Sequence, residues 1–239
     1  MTRCAAATLK WKCAIPASSI RKGSGCVSDL LADSSVTRLV PEGRHGRPHG
    51  AAGVLARVVD DLALASLAAR KDAAPALAQA ARVTFGLELP TGPRMARGAE
   101  LAAIGTAPGR WLVLKEAARG ADLLARLTSA FGTSAALTDQ SDANLVLELS
   151  GPQVAGTLEK LVALDLHPDV FKPGDAAATM VALMSVLLWR LPDAAAAPHY
   201  RFAIPRSFGP AFLRTLTAAA APFGFDLTGT GAAGDQGRG

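Results

Sequence analysis

An α+β fold, an antiparallel or mixed sheet with helices on one face, is the architecture this sequence predicts. Helix-period stretches alternate with pairs of short strands rather than with single strands, which favours segregated helices over a parallel, doubly wound sheet. A length of 239 residues, half of them hydrophobic, is enough for one domain with a sizeable core. Aromatics are only 5 % of the chain, so that core must rely on Leu, Val and Ala packing.

The elements follow in order. Leu62 to Leu67 reads as a first strand and Asp72 to Phe85 as a helix stopped by Gly86. Pro90 to Gly98 reads as loop. Trp111 to Leu114 is a short apolar strand entered through the Pro108-Gly109 turn. Leu124, Leu127 and Phe131 define one helix face, ended by Gly132. Ala136 to Thr138 and Asn144 to Leu149 read as strands on either side of an acidic turn, Asp139-x-Ser141-Asp142. Ser150 with Gln153 has the spacing of a capping box, and Pro152 suits a first helical turn. Val154, Leu158, Leu161 and Val162 would be the buried stripe of that helix. The Asp165-Leu-His-Pro168 segment ends it, because a residue before proline is pushed out of the helical region. The apolar run Ala176 to Trp189 follows, as one long strand or two short ones, and then a strand from Tyr200 to Ile204. Ser207 is placed to cap a last helix whose Phe208, Phe212, Leu216 and Phe223 face inward, closed by Gly224. The order is β-α-β-β-α-β-β-α, with one more strand and helix ahead of it.

Charge sets a leader (residues 1–53) apart from a body (54–227), and a tail without any pattern (228–239) is expected to be disordered. The leader holds eight Lys/Arg against three Asp/Glu, which is the whole of the formal net charge of +5, and the body and tail balance to zero. The basic balance therefore describes the leader and gives no basic face for nucleic acid. Little aromatic content there is available for base stacking. Cys4, Cys13 and Cys26 all lie in the leader at irregular spacing, which argues against a disulfide framework, and a cysteine-free body suits a reducing, cytoplasmic compartment. No uninterrupted apolar core of a secretory signal is seen, and Asp29 and Asp33 break any amphipathic targeting helix. Val27-Ser28-Asp29-Leu30-Leu31 is the expected true beginning of the protein. GRHGRPHG (Gly43 to Gly50) has no apolar periodicity, so the leader is expected to be weakly ordered. Ala176 to Trp189 is 14 residues long, short of the roughly 20 that a spanning helix needs.

Residues that carry chemistry are sparse. Gly229-x-Gly231-x-x-Gly234 matches a dinucleotide fingerprint only as a string, because too few residues follow to form the helix that receives a pyrophosphate. His45 and His49 have ligand-like spacing, but no closely spaced cysteine pair accompanies them. Asp165, His167 and Asp169 form a potential acid/base cluster. The turn reading is preferred, with Asp165 accepting backbone amides, because sequence shows neither pocket nor positioned partner. Arg206-Ser207 at a helix start suits an anion or, more simply, an N-cap. No serine sits in a nucleophile elbow and the body has no cysteine.

The stretch Ala136 to Gly174 joins the Asp-x-Ser turn, a strand, a Ser-Gly-Pro helix start and Asp-Leu-His-Pro. With Pro205-Arg206-Ser207-Phe208 further on, it resembles the gamma subunit of heterotetrameric sarcosine oxidase over roughly Asp61 to Asp226. The residues that carry the resemblance are Asp139, Ser141, Ser150, Gly151, Asp165, His167, Pro168, Phe171, Gly174, Thr179, Arg206 and Ser207, with structural or interface roles implied. One departure is Arg110, within Ala107 to Val113, where the family often carries an acid.

Such subunits resemble the folate-binding domain of the glycine-cleavage aminomethyltransferases. That superfamily has paired Asp residues about where Met184 and Ser185 stand here, so the resemblance implies that transferase chemistry is lost. It further implies an accessory, non-catalytic chain with no cofactor, metal or catalytic residue of its own. Its partners would be alpha, beta and delta subunits that hold FAD, FMN, NAD and tetrahydrofolate. The implied complex demethylates sarcosine to glycine, reduces oxygen to hydrogen peroxide and passes the methyl carbon to tetrahydrofolate. The alternative is a free-standing folate-binding or one-carbon-transfer protein.

Overall fold

The computed structural model describes residues 40–116 and 122–229. The expectations placed on the cysteines, on Val27 as a start and on the glycine-rich stretch beyond Gly229 lie outside the described residues. Twelve strands among the described residues form two sheets. They are β1 (Gly43–His45), β2 (Val54–Val59), β3 (Ala63–Ala69), β4 (Met95–Arg97), β5 (Leu101–Ala107), β6 (Arg110–Lys115), β7 (Ala135–Asp139), β8 (Asn144–Ser150), β9 (Ala176–Val181), β10 (Met184–Ala194), β11 (Ala197–Pro205) and β12 (Phe225–Thr228). One sheet runs β1-β12-β2-β8-β11-β10-β9 and the other β4-β5-β6-β3-β7. Only the β12–β2 pair is parallel. The α-helices among the described residues are α1 (Ala74–Phe85), α2 (Asp122–Phe131), α3 (Val154–Leu158) and α4 (Gly209–Ala220).

The α+β expectation holds, and the arrangement adds a second sheet to it. Each sheet carries helices on one face only, and the two bare faces meet. Leu145, Leu147 and Leu149 of β8 and Tyr200, Phe202 and Ile204 of β11 pack under α3 and α4 with Phe212, Leu213 and Leu216. Ala65, Leu67, Trp111 and Val113 pack under α1 and α2 with Leu77, Phe85, Leu127 and Phe131. Between the sheets lie Leu64, Ile104, Leu112 and Leu114 on one side and Val146, Trp189, Leu191 and Ala203 on the other. Strands buried on both faces read as near-continuous apolar runs rather than alternations. For this reason Leu101–Ala107 (β5) escapes a period-two reading, although five of its seven residues are buried.

Several local expectations are corrected. Val54–Val59 and Leu101–Ala107 are strands that the element order above omits, and Met95–Arg97 is a strand within the expected loop. Gly43–His45 pairs with β12, so GRHGRPHG is regular at its start. In α2 the buried face is Leu123, Leu127 and Phe131, one residue away from Leu124. Ser150 ends β8 instead of capping a helix, and Gln153 precedes α3 without a side-chain cap bond. The adjoining Gly151 explains why: it has φ +121°, and a Cβ there would come 2.6 Å from the Gly53 carbonyl oxygen, so the chain turns sharply against β2's entry before α3 begins. Ser207 sits in a 3₁₀ turn (Arg206–Phe208), Phe208 is 43 % exposed, and α4 starts at Gly209. The apolar run 176–189 falls in two strands, β9 and the first half of β10, joined by Ala182 and Leu183. No helix among the described residues is long and apolar enough to cross a membrane.

Phe202 is fully buried on the helix-covered face, its ring 5.4 Å from that of Phe212. Phe202→Ala is expected to lower unfolding free energy by about 3–5 kcal/mol, read by chemical denaturation.

Candidate functional site

The chain passes between the sheets at β7–β8, and two motifs that lie far apart in sequence meet at this crossing. Asp139 Oδ1 accepts the Ser141 N–H at 2.9 Å, closing an Asx-type turn. Ser141 Oγ then accepts the Leu64 N–H at 3.0 Å and donates to the Leu64 carbonyl at 3.3 Å, while the Gln140 N–H donates to the same carbonyl at 2.8 Å. The turn is thereby fastened to the start of β3. From the other side, Arg206 Nε donates to the Asp142 carbonyl at 2.7 Å, Nη2 to that of Asn144 at 3.3 Å, and the Arg206 N–H to that of Ala143 at 2.9 Å. The guanidinium is occupied by carbonyls rather than held open for an anion, and Ser207 makes no N-cap bond, since the 3₁₀ turn and α4 are entered at Pro205 and Phe208 without side-chain caps.

A second group surrounds Arg190, which is 3 % exposed. Asp165 Oδ1 accepts the His167 N–H at 2.9 Å, the turn role expected of it, and Pro168 follows. The Val170 and Phe171 N–H groups return to the His167 carbonyl. Phe171 is stacked on Tyr200 at 6.4 Å, and its carbonyl accepts Arg190 Nη1 at 2.6 Å. Arg190 Nη2 pairs with Asp193 at 2.9 Å. The Gly174 N–H donates to the Arg190 carbonyl, and the Gly174 carbonyl accepts the Met95 N–H at 2.7 Å. The 165–175 segment is thus a strap between β10 and β4. His167 and Asp169 are exposed, their side chains lie 3.6 Å apart, and neither lines the inter-sheet cleft described below. Thr179 is half-buried in β9 opposite Val186.

The sequence reading passed over a third group. Arg201, 7 % exposed, places Nε 2.7 Å from Glu148 Oε2 and Nη1 2.6 Å from Glu116 Oε1, so it ties the seven-stranded sheet to the end of β6 in the other. Arg57 lies 3.2 Å from Glu148 Oε2. His199 Nε2 stands 3.1 Å from Glu148 Oε1, out of line for a full hydrogen bond. Burial alone would raise the Glu148 carboxyl. The His199 contact, the Arg201 hydrogen bond and the charges of Arg201 and Arg57 outweigh it and hold the pKa down at about 2. The available signal was a charge inside an otherwise apolar strand, Glu148 in NLVLELS and Arg201 in YRFAI.

A cleft of about 350 Å³ opens between the sheets at the end away from this network. Ser66, Thr106, Gln140, Asn144 and Ser185 supply its polar groups, and Leu112, Val186, Leu187 and Ala203 its apolar wall. Its lining contains no Asp, Glu, His, Lys, Arg or Cys, so it offers hydrogen bonds but no general acid, general base or strong nucleophile. Of the two positions expected to match superfamily carboxylates, Ser185 faces this cleft, and Met184 is buried in the helix-covered core. Among the described residues no cluster of His, Cys, Asp and Glu is placed to hold a metal. His45 Nε2 is 2.8 Å from the Pro41 carbonyl.

The model of the sarcosine oxidase, gamma subunit family matches residues 70–222. The sarcosine oxidase subunit gamma of Corynebacterium sp. (strain P-1) is 43 % identical over 75 residues, 31 % of this chain and 37 % of that protein. That of Arthrobacter sp. is 35 % identical over 114 residues, 47 % of this chain and 55 % of that one. The matched segments therefore span about half or less of these curated relatives. Among solved structures, a chain of the heterotetrameric sarcosine oxidase from Corynebacterium sp. U-96, in complex with pyrrole 2-carboxylate, superposes with TM-score 0.63 at 29 % identity. It covers 73 % of this chain and 87 % of that one. The glycine cleavage system aminomethyltransferase T from Bartonella henselae gives TM-score 0.55 at 15 % identity, over 76 % of this chain and 49 % of that one, a likeness of fold.

Two outcomes are expected. Ser141→Ala leaves the Leu64 N–H without its partner and should cost about 1–3 kcal/mol, measured by urea unfolding. Glu148 has a folded pKa below its unfolded value, so its stabilisation is complete above the unfolded pKa and is lost as pH falls through the folded one. Glu148→Gln should therefore flatten the stability profile between about pH 5 and pH 2, compared with wild type by thermal melts across that range.

Proposed function

The chain belongs to the sarcosine oxidase gamma-subunit family, and on that footing we propose that it is an accessory, non-catalytic subunit of a heterotetrameric sarcosine oxidase. The observation that carries this reading is the uncharged cleft: the recess described between the sheets is lined by no Asp, Glu, His, Lys, Arg or Cys, so it brings neither a formal charge nor an ordinary proton-transfer group to a reacting centre. Tetrahydrofolate chemistry in a related scaffold would need a carboxylate near the reacting nitrogen. Ser185 and Met184 do not supply one, so no one-carbon step is assigned to this chain.

In this proposal alpha, beta and delta chains are the partners and carry FAD, FMN, NAD and tetrahydrofolate. The assembled complex demethylates sarcosine to glycine in the cytoplasm, forms hydrogen peroxide from oxygen and transfers the methyl carbon to tetrahydrofolate. This chain contributes a rigid two-sheet body against which the larger chains pack. The fold likeness to an aminomethyltransferase keeps one second reading in view, a free-standing folate-binding protein.

Co-expression with candidate alpha, beta and delta chains, followed by size-exclusion chromatography, tests the proposal. Flavin absorbance should co-elute with this chain. A separately eluting chain that binds tetrahydrofolate saturably at micromolar concentration would favour the second reading instead.

A further inference from the structure

The mouth of the inter-sheet cleft has two unlike lips. On the five-stranded sheet, Leu112 lines the cleft, and side chains alternate along a strand, so Arg110 lies on the same face of β6, two residues nearer the opening. Arg110 is exposed and forms no ion pair among the described residues. The Ala69 N–H bonds the Gly109 carbonyl at 2.9 Å, which brings the end of β3, with exposed Arg70, beside the same hairpin. On the seven-stranded sheet, Ser185 and Ala178 line the cleft. Beyond them, at the β9–β10 hairpin, stand Met180, 53 % exposed, and Leu183, 89 % exposed.

Leu183 is the more informative of these two. It has φ +69° after Ala182 at φ +46°, a two-residue turn in which both positions favour Asn or Gly. A large apolar side chain there is exposed to water and held in a disfavoured backbone region, and strain of this kind concentrates where a surface is used.

We propose that this mouth is the docking site for one of the larger subunits, through a segment that places an apolar side chain beside a carboxylate. The apolar side chain packs on Leu183 and Met180 and reaches towards the uncharged wall of the cleft. The carboxylate pairs with Arg110. Charge complementarity selects this occupant: the interior offers no charge to pair, the lip offers cations, and rim charges of this kind steer and orient association. The inference rests on the subunit reading above and names the surface that it requires.

The test uses the full chain co-expressed with the alpha, beta and delta candidates. Four variants are compared with wild type, Arg110→Glu, Arg110→Gln, Leu183→Gly and, as a control on the outer side of α1, Val83→Ser, which replaces a 73 % exposed residue. Leu183→Gly should leave the chain's own Tm unchanged or raised, because Gly suits the turn, yet weaken the large-subunit Kd at least tenfold. Arg110→Glu should abolish co-elution, and wild-type affinity should fall more steeply with salt than that of Arg110→Gln. Val83→Ser should assemble normally. Arg110→Glu and Leu183→Gly chains that assemble with wild-type affinity overturn the docking site while leaving the subunit reading intact. A wild-type chain that does not assemble at all overturns both.

Discussion

Everything in this fold depends on two sheets sharing one buried interface, which obliges the chain to cross between them without leaving polar backbone stranded. The return crossing at Gln140–Ala143 meets this with a few groups. The Ser141 hydroxyl and the Gln140 amide satisfy Leu64 at the start of β3, and Arg206 satisfies the carbonyls on the other side. Buried or half-buried peptide groups are costly when unpaired, so these few bonds fix where one sheet ends and the other begins. With that relation set, Trp189, Ile104 and Leu114 can pack between the layers and the cleft is left at the open end.

This constraint gives physical content to the residues on which the sequence resemblance rests. Asp139, Ser141 and Arg206 belong to the crossing. Asp165, Phe171 and Gly174 belong to the strap around Arg190, and Gly151 to the close approach of Gly53. None of them points a reactive group into the cleft. Their hydrogen bonds and close contacts hold the shape of the body, which is what the proposed accessory role asks of them. The Glu148–Arg201–Glu116 network does at the opposite end what the crossing does here, joining the sheets by charge rather than by turn geometry.

Much of the order of elements was legible in the sequence, because helix-period segments such as Ala74–Phe85, stopped by left-handed Gly86, depend on local signals. The Asx turn at Asp139 and the Asp165 turn were legible for the same reason. What was not legible is non-local. Strands of the inner layers, such as Leu101–Ala107, lose their alternation because both faces are buried, and nothing in NLVLELS says that its neighbour in sequence, β7, pairs in a different sheet. The capping roles given to Ser150 and Ser207 failed because Gly151 and a 3₁₀ turn displaced the helix starts. The emptiness of the cleft of ionisable groups became visible only once strands from both sheets were brought together.

The central claim is that this scaffold shapes a complex and performs no chemistry alone. Its most direct test is a turnover assay on the purified chain supplied with sarcosine, tetrahydrofolate, flavins and NAD, following glycine and hydrogen peroxide release. The account predicts no product above the protein-free control. Sustained glycine formation by the isolated chain would contradict it.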